Sequence, residues 1–515
     1  MYKGGRRGNP GPDEQLDSVL RNERDPFYIE RAQIWWQQNC AKNSEGGRLN
    51  AFLRCCWQAG VIHLLILPGP RRRSSSGGSW SKTSAAFGRV KYAMPHWDHG
   101  VLQASNNGRF LKHADGTPFL WLADTAWQLF HRLGRENADH YLKTRADQGF
   151  NVIQAVGLAE LDGIETPNVY GARPLIDADP TRPDEASGYW DHVEWIVAKA
   201  REYGLYIGFL PTWGDKVKPG WGAGPRIFDA ENARGFGKWI AERFAKYENI
   251  IWVNGGDRDP TDESAVWTAL AHGLREGDPY RRLMTFHPQG EQSSAENYHD
   301  SDWLDLNMLQ TGHGSKSLDI VRQMVQAAYH RTPARPVLDG EPRYENHPIG
   351  FNLANGYFVA LDVRQAVLTG LFSGGCGFTY GCHAVWQMAC DAYEPINNPI
   401  SHWKYSLGLP GANQVQVIGK IMAELPWHRC RPDSTIVADR SGIPALVRDD
   451  EKLIALYSPG GAVRLSNRFD RSGWRLRWVS PVDGEVQDLG SLEALHLEPP
   501  KRDAARADRI AILER

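Results

Sequence analysis

Between Val101 and Leu425, short apolar runs alternate with helical stretches at a nearly regular spacing, and this alternation constrains the fold more than any other feature of the chain. Apolar runs are predicted as strands over 119–123, 151–156, 205–210, 250–253, 282–286, 304–308, 336–339 and 377–380. Helical periodicity is predicted between them over 137–148, 190–203, 231–246, 263–275, 318–328 and 362–371. Strands separated by helices in this way build parallel βαβ units, and eight of them in about 270 residues fit a closed (β/α)8 TIM barrel, an α/β fold. Ahead of the barrel, 109–117 reads as a β-hairpin around Asp115-Gly116. A helix predicted over 414–423 ends the pattern. Beyond it, predicted strands over 435–438, 443–448, 453–457, 462–465, 474–479 and 510–513 are split by Gly, Asp and Pro turns and read as a small C-terminal β-sandwich. The expected organisation is a catalytic barrel over 94–425, a β-sandwich over 426–515 and a disordered extension over 1–93. That extension is rich in Gly, Arg and Ser, with periodicity only over 26–38, and Met94 is a candidate translation start.

Several function classes are disfavoured by the totals. The formal net charge of −2 gives no basic surface for nucleic acid, and basic runs such as Arg71-Arg72-Arg73 are short. No run of eighteen apolar residues exists to span a membrane, and the start lacks the apolar core of a signal peptide. The seven cysteines follow neither a disulfide framework nor a zinc template. They read as reduced thiols, which favours a cytoplasmic setting, and no cofactor is implied. The 20 tryptophans point towards carbohydrate, because indole faces stack on sugar rings, although they also fill cores.

Catalytic groups of a TIM barrel stand at the C-terminal ends of its strands. Reading the predicted ends in order gives Asp124 and Trp127, then Gln154, then Trp213, then Asn254 and Asp257, then His287, then Gln310 and His313, then Glu341, and finally Tyr380, His383 and Trp386. Asp257 follows the fourth strand and Glu341 the seventh, which lie on roughly opposite walls of a closed barrel. Glycoside hydrolysis needs such a pair, one carboxylic acid to protonate the leaving oxygen and one carboxylate as nucleophile or base. Gly255 and Gly256 before Asp257 permit a sharp turn. Asp124 and Asp259 are competing acids, and Arg258 or Arg343 could hold either Asp257 or Glu341 in a structural ion pair. Trp127, Trp213 and Trp386 are the candidate sugar platform. Asp124, Gln154, Asn254, His287, Gln310, His313, Tyr380 and His383 complete the candidate substrate contacts. One rival reading is a sugar-binding barrel without catalysis. Another is a metal-dependent barrel hydrolase using His287, His313 and His383, although no His-x-His follows the first strand and no bridging Lys the fourth.

Several motifs together resemble a known family. They are Asp115-Gly116-Thr117-Pro118-Phe119 with Leu122-Ala123-Asp124-Thr125-Ala126-Trp127, then Phe150-Asn151-Val152-Ile153-Gln154, Trp252-Val253-Asn254-Gly255-Gly256-Asp257, Gly340-Glu341-Pro342 and His383-Ala384-Val385-Trp386-Gln387-Met388. The set resembles the apiosidase-like catalytic domain of glycoside hydrolase family 140, over about Gly100 to Leu425. The C-terminal stretch is similar to the β-domain usually attached there, which carries a collagen-binding label. The resemblance implies a (β/α)8 barrel that hydrolyses glycosidic bonds, with apiose-containing pectin (rhamnogalacturonan II) as its substrate class. It also implies an aspartate acid/base at Asp257 and a glutamate nucleophile at Glu341. A retaining mechanism is expected, with the carboxyls about 5–5.5 Å apart. The carbohydrate substrate is then the expected partner, either an extracellular polymer or short imported oligosaccharides.

Overall fold

A computed structural model describes residues 97–515 apart from 439–441, 501–503 and 505–506. The readings of 1–93 and of Met94 lie outside the described residues. The first elements are a three-stranded antiparallel meander, Leu102–Ala104, Leu111–His113 and Pro118–Phe119, turning at the predicted Asp115-Gly116. Its Leu111 pairs with Phe119, so the predicted first barrel strand begins two residues too early. The barrel strands are β1 (Trp121–Thr125), β2 (Val152–Leu158), β3 (Tyr206–Thr212), β4 (Ile250–Gly255), β5 (Met284–His287), β6 (Asn307–Gln310), β7 (Val337–Asp339) and β8 (Gly377–Tyr380). They run parallel in the order β5-β4-β3-β2-β1-β8-β7-β6. The short strand Gln292–Ser293 adds antiparallel to β6. Between β5 and β6 the seam is closed by Asp305 N–H donating to the Met284 carbonyl (2.9 Å) and the Thr285 hydroxyl donating to the Leu306 carbonyl (2.8 Å). The fold is the nearly closed TIM barrel that the alternation predicts.

The outer helices are α1 (Arg135–Asp147), α2 (Tyr189–Glu202), α3 (Ala230–Arg243), α4 (Ser264–Gly277), α5 (Leu318–Tyr329), α6 (Ala360–Phe372) and α7 (Pro410–Glu424). Helix α3 shows how local chemistry sets a boundary. Asp229 accepts from the Glu231 and Asn232 N–H groups, while Asn232 Oδ1 accepts from Asp229 N–H, a reciprocal cap that satisfies otherwise orphaned donors. That cap fixes where the long loop after β3 ends.

Alternation along each strand decides which side chains can reach the site. Trp121, Ala123, Val152, Val156, Tyr206, Leu210, Ile251, Val253, Met308 and Leu338 fill the barrel interior as one core. Leu122, Ile153, Ile207, Phe209, Trp252, Phe286, Phe378 and Tyr380 point the other way, into the layer beneath the helices. Both faces are buried, which is why the strands read as near-continuous apolar runs.

The C-terminal part holds β9 (Cys430–Pro432), β10 (Ala445–Arg448), β11 (Leu453–Ser458), β12 (Arg475–Val479), β13 (Val486–Ser491) and β14 (Arg509–Glu514) in one antiparallel sheet ordered β9-β10-β11-β14-β12-β13. Val463–Arg464 and His496–Leu497 form a second, two-stranded sheet. One face of the large sheet (Ile454, Leu456, Leu476, Trp478, Leu513) shares a core with Val463, Leu465 and Leu497. Its other face (Leu453, Ala455, Tyr457, Ile510, Ile512) joins the core of the barrel helices. Arg364 on α6 donates to both oxygens of Asp508 (2.8 and 2.6 Å), with Tyr457 OH on the same carboxylate (3.0 Å). The predicted strand 435–438 is instead a 3-10 turn, Ser434–Ile436, followed by a single bridge from Val437 to Leu465.

Candidate active site

The two carboxylates of the site follow the ends of β4 and β7. At β4, Gly255 and Gly256 take positive φ (88° and 135°) and Asp257 follows at 52°. A Cβ on Gly255 would stand 2.4 Å from the His287 carbonyl, and one on Gly256 would stand 2.8 Å from Gly214 N. Only glycines let this turn pass between the ends of β3 and β5. Gly256 N–H donates to His287 O and its own carbonyl accepts from Gly214 N–H, both at 3.0 Å. At β7, a Cβ on Gly340 would stand 2.5 Å from Met308 Sδ. The Gly340 carbonyl accepts from Gln154 Nε2 at 2.9 Å across the barrel interior. Glu341 follows, with its carbonyl accepting from Gly312 N–H at 3.0 Å.

The two carboxyls sit in different surroundings. Glu341 is buried between two histidines: His313 Nε2 donates to Oε1 at 3.1 Å, and His287 Nε2 stands 3.0 Å from Oε2. Burial opposes ionisation of Glu341, but the two imidazoles outweigh it and hold the carboxyl well below the usual range. Asp257 is partly exposed, and Trp221 Nε1–H donates to its Oδ2 at 2.7 Å. Desolvation and then the negative Glu341 raise Asp257 to about 6, against smaller opposing effects from His287, Trp221 and Arg258. Neither candidate ion pair forms. Arg343 donates to the carbonyls of Ser315, Asp362 and Ser317, and Arg258 to the carbonyls of Asp257 and Lys218. Asp259 caps a turn, accepting from Thr261 N–H (2.9 Å) and Oγ1 (2.6 Å), which separates it from Asp257 in role.

Around the pair the predicted residues divide. Trp127 and Trp213 lie with ring centroids 5.0 Å apart, and each packs on His287 (5.4 and 5.7 Å). Both are buried and share the interior core with Trp386 and Tyr344, so they form the floor of the mouth rather than an open platform. Gln154 and Gln310 are buried, with Gln154 Oε1 and Gln310 Oε1 unpaired. His313 Nδ1 and Trp213 Nε1 likewise lack hydrogen-bond partners.

Three predicted contacts face the wrong way. Asp124 pairs in register with Tyr380, and both lie on the outward row. Asp124 Oδ2 accepts from Arg145 Nε (2.7 Å) and Tyr141 OH (2.6 Å), an ion pair that anchors α1 to β1. Tyr380 OH donates to Glu345 at 2.6 Å. Asn254 is in register with outward Phe286 and donates to the Trp267 carbonyl on α4 at 2.7 Å. Starting β1 two residues late and ending β4 two residues late puts Asp124 and Asn254 inside their strands, where alternation turns them from the mouth. His383 is also committed: Trp386 Nε1–H donates to its Nδ1 (3.2 Å) and its Nε2 donates to the Asn397 carbonyl (2.9 Å). Its place is behind the site, against His347.

Strand β2 runs two residues past its predicted end, and this reveals Glu160, buried to 8 % exposure beside the acid. Desolvation first, then Asp257 and Asp215, raise it to about 8 against the pull of Arg258 and Lys216. A carboxyl raised on folding contributes stability that is complete below its ordinary value near 4.5 and is lost as pH climbs towards 8. Glu160→Gln is therefore expected to match wild type near pH 5 and to exceed it by up to a few kcal/mol at pH 8.5. Denaturant melts at the two pH values check this, and equal differences at both would sink it.

A parallel barrel whose mouth holds a histidine-bound glutamate with its carboxyl kept low and an aspartate raised to about 6 has the architecture of the glycoside hydrolase barrels. A family model, the apiosidase-like catalytic domain, matches residues 105–429, and the chain belongs to that family. No curated protein matches the chain. Among solved structures, one described as a glycoside hydrolase is 29 % identical with a TM-score of 0.75, covering 82 % of this chain and 98 % of the other. A glycoside hydrolase family 5 protein from Bacteroides vulgatus ATCC 8482 is also 29 % identical, with a TM-score of 0.74 and coverage of 82 % and 94 %. A further structure from that organism, 16 % identical with a TM-score of 0.59 over 81 % and 83 % of the chains, shares the fold.

Proposed function

We propose that the protein hydrolyses O-glycosidic bonds of plant cell-wall oligosaccharides, apiose-containing pectic fragments foremost, by double displacement. The observation that carries this reading is the opposite treatment of the two carboxyls. Two imidazoles keep Glu341 ionised, while burial and Glu341 itself keep the proton on Asp257. Asp257 gives its proton to the glycosidic oxygen as Glu341 attacks the anomeric carbon, and the bond to the leaving group breaks. The ionised Asp257 then takes a proton from water. That water attacks the same carbon, releases the sugar and frees Glu341.

Two measurements test the reading. The first is hydrolysis of a panel of aryl glycosides and pectic oligosaccharides by wild type, Asp257→Ala and Glu341→Ala. Loss in both variants, with folding retained, supports the pair and names the sugar. Survival of Glu341→Ala on any substrate, or of Asp257→Ala on the oligosaccharides, whose leaving oxygen needs a proton, overturns the assignment. No turnover of any substrate by wild type would favour a sugar-binding barrel. The first product anomer, followed by NMR, separates retention from inversion.

The second is the pH profile of kcat/KM. Asp257 must be protonated, so activity is present below its value and falls about tenfold per pH unit above about 6. Glu341 must be ionised, so the acid limb lies below the ordinary carboxylate range. These limbs belong to the interacting pair. A profile flat to pH 8 would contradict the acid role of Asp257.

A further inference from the structure

The loop between β3 and α3 crosses directly over Asp257, and it carries the sequence Gly220-Trp221-Gly222. Four contacts tie it down. Ala223 N–H meets the Glu160 carbonyl (3.4 Å), and Gly224 N–H donates to Asp215 Oδ2 (2.8 Å). The Trp221 carbonyl accepts from Arg258, and the Trp221 indole N–H donates to Asp257 Oδ2 (2.7 Å). Gly222 sits at φ +93°, where a Cβ would come 2.7 Å from Asp215 Oδ2, so the strap closes this tightly only with glycine there. The Arg258 guanidinium lies 4.2 Å from the centroid of the Trp221 ring. Even so, Trp221 remains 50 % exposed, while Trp127 and Trp213 in the floor are 2 % exposed. A large indole held at both its carbonyl and its N–H, yet left half open to solvent, is positioned for something other than core packing.

We propose that Trp221 is the leaving-group platform: its open face stacks on the ring beyond the scissile bond, and its N–H, by occupying Oδ2, leaves Oδ1 of Asp257 to carry the transferred proton. This rests on the acid role of Asp257. A general acid must lie within hydrogen-bond reach of the leaving oxygen, so whatever touches the acid's far oxygen borders the leaving group rather than the sugar being transferred. The site then selects substrates whose leaving group is itself a ring with an apolar face, a second sugar or an aryl group, over those with a small leaving group.

The experiment compares two probes of one glycone, its 4-nitrophenyl glycoside and its glycosyl fluoride, in wild type, Trp221→Ala and Trp221→Phe. The fluoride has no ring to stack and departs without a proton. Trp221→Ala is expected to lower kcat/KM for the nitrophenyl glycoside about tenfold and to leave the fluoride within about twofold. Trp221→Phe is expected to restore most of the nitrophenyl value, because a ring remains. It should also move the alkaline limb to higher pH, because a hydrogen bond to the ionised Asp257 is lost. Equal loss on both probes in Trp221→Ala would overturn the platform, as would a Trp221→Phe variant no better than Trp221→Ala. Those results would leave the carboxylate pair standing. Undiminished activity of Asp257→Ala on a sugar-sugar linkage, whose leaving oxygen needs a proton, or no turnover by wild type, would instead remove the reading on which the platform rests.

Discussion

Glu341→Gln is expected to reduce kcat by about 10^4- to 10^6-fold while leaving the fold and substrate binding largely intact. The amide has nearly the shape of the carboxylate and can still meet His313, which now stands 3.1 Å from Oε1. What it lacks is the negative charge that attacks the anomeric carbon. Asp257→Asn should behave differently, because a proton donor matters only in proportion to the basicity of the leaving group. With a 2,4-dinitrophenyl glycoside, the first step should proceed at near wild-type rate and the slow second step should be rescued by added azide. Stopped-flow release of the phenolate in both variants checks this. Comparable residual rates in the two, across leaving groups of different acidity, would be incompatible with separate nucleophile and acid/base roles.

The second large effect concerns stability. Asp124→Asn would leave the Arg145 guanidinium, which is fully buried, without the carboxylate it pairs with. Breaking a buried pair from one side costs about 3–5 kcal/mol, because the surviving charge is stranded in a poorly solvating interior. Replacing both partners, Asp124→Leu with Arg145→Met, should recover most of that loss. Chemical denaturation of wild type and the two variants measures it. Below the transition, kcat/KM of Asp124→Asn should stay within a few-fold of wild type, because the side chain faces α1 and not the mouth. A variant that kept its stability but lost substrate affinity would return Asp124 to the site.

The barrel was readable because both strand faces are buried and the helices between them are long, so periodicity changes sharply from one element to the next. Glu341 and Asp257 stood out for a related reason: each follows glycine at the end of an apolar run. The errors at Asp124 and Asn254 share one cause, whereas the strand of Tyr380 was bounded correctly and only its outward row was misread. Apolar runs locate a strand but not its last residue, and alternation makes orientation depend on that residue. Asp124, Asn254 and Tyr380 were read as strand-end groups and are outward-facing side chains of the strands themselves. Glu160 was missed because β2 extends through Gly157 and Leu158, where the apolar run had already been taken as ended. Trp221 lies in a loop about ten residues past its strand, where neither period nor strand end offers guidance. The Gly-Trp-Gly triplet was the available signal, since an aromatic between glycines has little packing purpose in a surface loop.

The large C-terminal sheet is ordered so that its last-synthesised strand, Arg509–Glu514, lies between β11 and β12. During translation, therefore, the barrel can close while the sheet is still missing its centre. The outer flank of α6 and the inner edges of two strands then wait together for the one strand that joins them. Unpaired strand edges and an uncovered apolar face are prone to aggregate, so that interval is the exposed one for this sheet. Any truncation that removes this strand would split the sheet in two rather than shorten it at an edge.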